Sequence, residues 1–174
     1  RGMRNPMNSW ARMDSYYDES GSYVLGENDL SLAKKLAKAG SDHRKYLRMI
    51  FVSVDITAPL YWWKEYDTYK VGTVANSTST MHKIHSKEFT LDDFSCEDLF
   101  NDWSIESELT YSNSDDDDYE ICFTSLGIME TLCEVLNHHR MMFNETKDRR
   151  YWRQMIQLLP SSYNQMRTVT MNYE

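Results

Sequence analysis

Four of the five histidines fall in two tight groups, His82 with His85 and His138 with His139. Imidazole is a common metal ligand, but a metal centre needs further ligands at set spacing and partners behind them. Neither group has a carboxylate or cysteine at such spacing, so both read as surface or loop-edge histidines and no metal is expected. The run Asp115 to Asp118 lacks the central glycine and closing glutamate of a calcium loop, and it reads as solvated acid. No GxSxG elbow, GxGxxG turn or GxxxxGKS/T loop occurs, which removes the common nucleophile and phosphate-cradling motifs. What remains is "GTVANSTST", Gly72 to Thr80. Its hydroxyls, with Asn76 and nearby backbone N–H groups, suit a neutral hold on an anionic or sugar-bearing ligand. The plain alternative is a turn-rich linker.

The elements around that loop follow from periodicity. In "MIFVSVDIT" the residues Ile50, Val52, Val54 and Ile56 take one face of a strand, and Phe51, Ser53, Asp55 and Thr57 the other. Pro59 suits a helix's first turn, and Trp62, Trp63, Tyr66 and Tyr69 keep helical spacing as far as Lys70, with Gly72 as the stop. Upstream, "NDLSLAKKLAKAG" predicts a helix capped by Asn28 and closed at Gly40, and a second short helix starts from Ser41. Residues 1–28 read as an irregular arm. Downstream, Leu126, Met129, Leu132, Cys133, Leu136 and His139 share one helical face. A last helix carries Trp152, Ile156 and Leu159 and stops at Pro160. The expected class is α+β, a small and mostly antiparallel sheet covered by helices.

With 174 residues the chain is expected to form one domain, 1–174. Its net charge of -8 is uneven. Residues 88–120 hold 13 acids and no Lys or Arg, leaving 14 acids against 19 bases elsewhere. That segment reads as an acidic insertion or flexible loop with one short amphipathic helix near Asp92 to Trp103, and the rest as a mildly basic body that tolerates an anionic ligand. Three scattered cysteines without a CxxC point to a reducing cytosol, and no leader or membrane span is read at Arg1 or beyond. No direct nucleic-acid binding is expected.

The strand followed by "APLYWWKEYDTYKVGTVANSTSTM" resembles the core of the flavin-dependent thymidylate synthases. There a strand leads into an Ala-Pro-initiated helix and the signature R-H-R-x-x-S-x-N-E-x-S-x-R-Y. Placing Ala58-Pro59 on that Ala-Pro puts Arg-His-Arg on Thr68-Tyr69-Lys70 and the first Ser on Thr73. Asn-Glu falls on Ala75-Asn76, the second Ser on Thr78, and Arg-Tyr on Thr80-Met81. His43 matches the opening residue of the family's flavin-contacting H-x-S-x-x-E-H, with Arg48-Met49 in place of Glu-His. Near the end, Leu159-Pro160, Thr170 and Asn172 match a helix ending in Leu-Pro and a strand carrying T-x-N-x-R, with Glu174 in place of the Arg.

The resemblance implies FAD contacts at His43, Lys70, Asn76 and Asn172, and pyrimidine-nucleotide contacts at Lys70, Thr73, Thr78 and Thr80. It also implies a cytoplasmic homotetramer and, if the chain is active, flavin-dependent methyl or hydroxymethyl transfer to a nucleotide such as dUMP. Guanidiniums that grip phosphate in the family are missing, and each charge-assisted contact is worth roughly 1.5–3 kcal/mol. Arg44, Arg48 and Arg167 are the cations that would restore charge from new positions. The competing expectation is a catalytically inactive relative that binds a nucleotide or a protein partner.

Overall fold

A computed structural model describes residues 1–69, 71–102 and 124–174; Lys70, the Asp115 to Asp118 run and Cys122 lie outside the described residues. The chain divides into two compact units, one of Arg1–Asp55, Lys70–Asn76 and Thr168–Glu174, the other of Ile56–Tyr69 and Ser77–Arg167.

In the first unit the arm is ordered by polar contacts. Strands β1 (Tyr16–Tyr17) and β2 (Tyr23–Val24) pair antiparallel, Tyr16 opposite Val24. The Asp18 carboxylate closes their turn by accepting from Ser20 and Ser22 backbone N–H groups, each at 2.9 Å. Helix α1 (Glu27–Lys38) follows. Its cap is Asp14 rather than Asn28: the Asp14 carboxylate accepts from the N–H groups of Asn28 at 2.8 Å and Asp29 at 3.0 Å. Local sequence hides this because the capping residue lies outside the helix. Gly40 takes φ 105°, as a helix-closing glycine should. In place of an α-helix from Ser41, Lys45–Met49 form a 3-10 turn.

Strand β3 (Phe51–Pro59) runs as the alternation predicts, and β3, β5 (Asn164–Asn172) and β4 (Val74–Ser77) form a three-stranded sheet with β5 central. Ser53 meets Thr170 at 2.7 Å and Thr168 donates to Asp55 at 2.6 Å, so partner numbers fall as the strand advances and the pair is antiparallel. The polar stretch from Val74 to Ser77 is thus a strand rather than a loop.

In the second unit α2 spans only Leu60–Tyr66, shorter than the aromatic spacing predicts. The Thr68 hydroxyl donates to the Glu65 carbonyl at 2.7 Å, a local bond that competes with continuing the helix. A four-residue helix α3 (Thr80–Lys83) leads on to α4 (Ser125–Thr146) and α5 (Arg149–Leu158), capped by Thr124 and Asp148. Ile84, Phe89, Phe94, Cys133, Leu136 and Met155 form the buried core. The start of the acidic segment is therefore packed. Phe89 and Phe94 enter the core around a 3-10 turn, Leu91–Asp93, held by a Thr90/Asp93 capping box. No helix among the described residues is long and apolar enough to cross a membrane.

Candidate functional site

The signature-like residues divide between the two units. His43, Thr73, Asn76 and Asn172 belong to the first, and Thr78 and Thr80 to the second. Lys70 lies outside the described residues.

In the second unit the two threonines are held by a polar chain that runs from the buried Gln165 out to the exposed Asp67. Gln165 on β5 donates its Nε2 to the Thr78 carbonyl at 3.1 Å and to the Thr80 hydroxyl at 2.9 Å. Its Oε1 accepts from Arg167 Nε at 3.0 Å, and Arg167 Nη1 reaches both oxygens of Asp67 at 3.0 and 3.2 Å. The Arg167 guanidinium stacks 4.4 Å from the ring centroid of Trp63, which is fully buried and donates its indole N–H to the Gln165 carbonyl at 2.8 Å. So Arg167 restores no charge to a ligand. It positions Gln165, and Gln165 positions the threonines. The bulky helix has its purpose here: Trp63 packs against the strand that carries Gln165.

Thr78 and Thr80 open on a cavity of about 550 Å³, also lined by Thr57, Ser79, Lys83 and Asn164. Lys83 makes no ion pair or side-chain hydrogen bond among the described residues, whereas Lys87, on the same wall, is paired with Asp93. Asp92 adds a carboxylate, and Phe89 and Met166 add apolar surface. Tyr163 borders the cavity too; burial pushes its phenol up, with the Asp93 charge adding to the effect. The cavity thus offers one unpaired amine, several hydroxyls, an amide and a carboxylate. Such a set reads the edges and charge of a small polar ligand. Lys83, Asn164 and Gln165 were not candidates by sequence. The alternation of β5, with Gln165, Arg167 and Val169 on one face, was the signal available for Gln165.

In the first unit the other candidates are engaged with one another. Glu174 receives Arg44 Nε at 3.1 Å and is also paired with Arg48. The Arg48 hydrogen bond, with that from Arg44, holds its carboxyl below the usual range. Asn172 donates to the Val71 carbonyl at 3.4 Å, and its side-chain oxygen accepts from the Glu174 N–H at 3.0 Å. Gly72 at φ 69° lies against it: any Cβ there would strike the Asn172 amide nitrogen. Among the described residues His43, Thr73 and Asn76 make no hydrogen bond or ion pair with this cluster. A flavin diphosphate needs unpaired cations, and both described arginines beside Asn172 already hold a carboxylate. As arranged, this donor set does not fit FAD. Among the described residues no group of His, Cys, Asp and Glu is placed to hold a metal ion.

Neither a protein-family model nor a curated protein matches the chain. Solved structures do. Flavin-dependent thymidylate synthase ThyX from Helicobacter pylori, solved with FAD and dUMP, aligns at TM-score 0.56 and 13% identity, covering 98% of this chain and 70% of that one. A second structure of that enzyme, also with FAD and dUMP, gives TM-score 0.57 and 12% identity over the same shares. The fold is that of the flavin-dependent thymidylate synthases. The α+β architecture with small antiparallel sheets agrees with it. At such identity the likeness establishes the thymidylate synthase-like fold and leaves the chemistry to the residues present.

Proposed function

We propose that the chain is a pyrimidine-nucleotide-binding protein on the thymidylate synthase X fold, holding its ligand in the cavity of the second unit. The observation that carries this reading is the opening of Thr78 and Thr80 on a cavity of about 550 Å³ that also holds the unpaired Lys83. That volume lies within the roughly 300–1,000 Å³ range of small-ligand sites. In this reading Lys83 meets the phosphate, while the hydroxyls of Thr78 and Thr80 and the Asn164 amide meet sugar and base. The match over 98% of the chain supports one thymidylate synthase-like domain spanning 1–174. By the same resemblance the protein acts as a cytoplasmic homotetramer.

A flavin-dependent transferase is the second reading, favoured by the FAD bound in the structural neighbours. It requires His43, Asn76 and Asn172 to meet FAD, and Glu174 to release Arg44 and Arg48. The first reading needs no such rearrangement.

Thermal shift and calorimetric titration with dUMP, deoxyuridine and FAD test both. The nucleotide reading expects dUMP to raise the Tm and deoxyuridine to bind far more weakly. Lys83→Ala should cost about tenfold or more in dUMP affinity, the scale of one charge-assisted contact. Absence of dUMP binding, or dUMP affinity unchanged by Lys83→Ala, would overturn it. Stoichiometric FAD binding by the wild-type chain would establish the second reading instead.

A further inference from the structure

A second cavity of about 350 Å³ in the same unit is walled by Met81, His82, His85, Phe143, Arg149 and Trp152. We infer that it binds a small aromatic anion, a single ring bearing one carboxylate or phosphate, independently of the nucleotide reading.

Charge is the first argument. The chain carries 27 acids against 19 Lys and Arg, yet no carboxylate lines this cavity. Arg149 makes no ion pair or side-chain hydrogen bond among the described residues. The Asp148 carboxylate, which would neutralise it, is taken by the neighbouring Arg150, with Nη2 at 2.6 Å and Nε at 2.8 Å. Two imidazoles, His82 and His85, line the same cavity. The Nδ1 of His85, one of the lining residues, is buried and has no hydrogen-bond partner among the described residues. A guanidinium fork with imidazole N–H groups matches a carboxylate or phosphate head.

The walls are the second argument. Trp152 is fixed in place because its indole N–H already donates to the Met81 carbonyl at 2.9 Å. Phe143 is fixed by the edge of His85, with centroids 4.9 Å apart and planes at 71°, and the Lys147 amine sits 5.7 Å from its centroid. His85 is itself tied through its backbone carbonyl to Asn144. Rigid aromatic surfaces favour a planar ring over a flexible chain. The volume suits one ring and its head group, at the low end of ligand sites.

The test is titration of the full chain with phenyl phosphate and benzoate, read by tryptophan fluorescence and by calorimetry. Inorganic phosphate and benzyl alcohol supply the head without the ring and the ring without the head. The expected result is saturable binding of phenyl phosphate or benzoate, whichever head fits, at least tenfold tighter than either control. Arg149→Gln, at an exposed position that leaves the fold intact, should weaken it tenfold or more. Trp152→Phe should keep calorimetric binding and remove most of the fluorescence change. Lys83→Ala should leave the affinity unchanged, which separates this site from the nucleotide cavity. Failure of both aromatic anions to saturate, equal binding of a control, or an Arg149→Gln variant with unchanged affinity would overturn the inference.

Discussion

Replacing Asp29 by Asn should make the first unit less stable at neutral pH and remove the Asp29 share of its pH dependence in acid. Asp29 is 2% exposed and Arg4 is 4% exposed. One oxygen of Asp29 accepts from Arg4 Nε at 2.7 Å, and the other from the Ser15 hydroxyl at 2.6 Å and the Ser15 N–H at 3.1 Å. Burial alone would raise the carboxyl, but the Ser15 and Arg4 bonds outweigh it and lower the pKa from 3.8 to about 2. Each pH unit is worth about 1.4 kcal/mol, so the charged form adds about 2.5 kcal/mol of stability. For a lowered pKa that stability is present above the unfolded value of 3.8 and lost as pH falls through about 2. Asn removes it and also leaves Arg4 without a counter-charge, for a total near neutral pH of about 3–5 kcal/mol. Urea unfolding of both proteins from neutral pH to pH 2 measures the difference. It should be largest near neutrality and shrink by about 2 kcal/mol by pH 2. A difference that stays constant over that range would refute the assignment of the stabilisation to the ionised carboxylate.

Trp63→Phe should lower stability by about 1–3 kcal/mol in denaturant titration, because the buried Gln165 carbonyl loses its donor. An unchanged midpoint would mean that the indole bond contributes nothing. Gln165→Leu should weaken dUMP binding about tenfold with little change at Arg149, since Thr78 and Thr80 lose their common anchor. Equal dUMP affinity in that variant would remove Gln165 from the site. Glu174→Gln should free Arg44 and Arg48 and so strengthen the binding of inorganic pyrophosphate, measured by calorimetry. No gain over wild type would show that the two arginines do not form an anion seat.

Strand β3 and the long helix α4 were legible because each is long enough for its period to show. Four apolar residues alternate in one, and Met129, Leu132, Cys133 and Leu136 share a stripe in the other. Strand β4 was not, because Val74 to Ser77 carries turn-forming residues, and its pairing with β5 is a contact that spans about half the chain. Helix α2 was drawn too long for the opposite reason. The aromatic spacing continues to Tyr69, while one threonine hydroxyl takes a carbonyl the helix needed. In the acidic segment the charges masked Phe89 and Phe94, whose burial depends on α4 and α5 rather than on their neighbours. Of the site, the hydroxyls at Thr78 and Thr80 were visible as residue types. The cation was expected at Lys70, with Arg44, Arg48 or Arg167 restoring further charge, whereas the unpaired amine lining the cavity is Lys83.

The reason lies in what the arginines do instead. Arg48 stands where the resemblance places a glutamate, and Glu174 where it places an arginine, and in this chain the two are paired. An exchange of charges between two touching positions preserves their attraction while reversing which partner is left facing solvent. Here the carboxylate side chain is 11% exposed, and the guanidiniums around it are 43% and 48% exposed. Their charge is satisfied from within the unit before any phosphate arrives. An incoming diphosphate must displace a carboxylate held by two cations and by the Asn172 contact to its N–H. In the second unit the hydroxyls are held by Gln165, and Lys83 has no counter-ion among the described residues. On the proposed reading, ligand chemistry in this chain has moved from a guanidinium-lined seat to a hydroxyl-lined one. The order of affinities for dUMP, FAD and pyrophosphate in wild type and Glu174→Gln is the measurement in which that shift must appear.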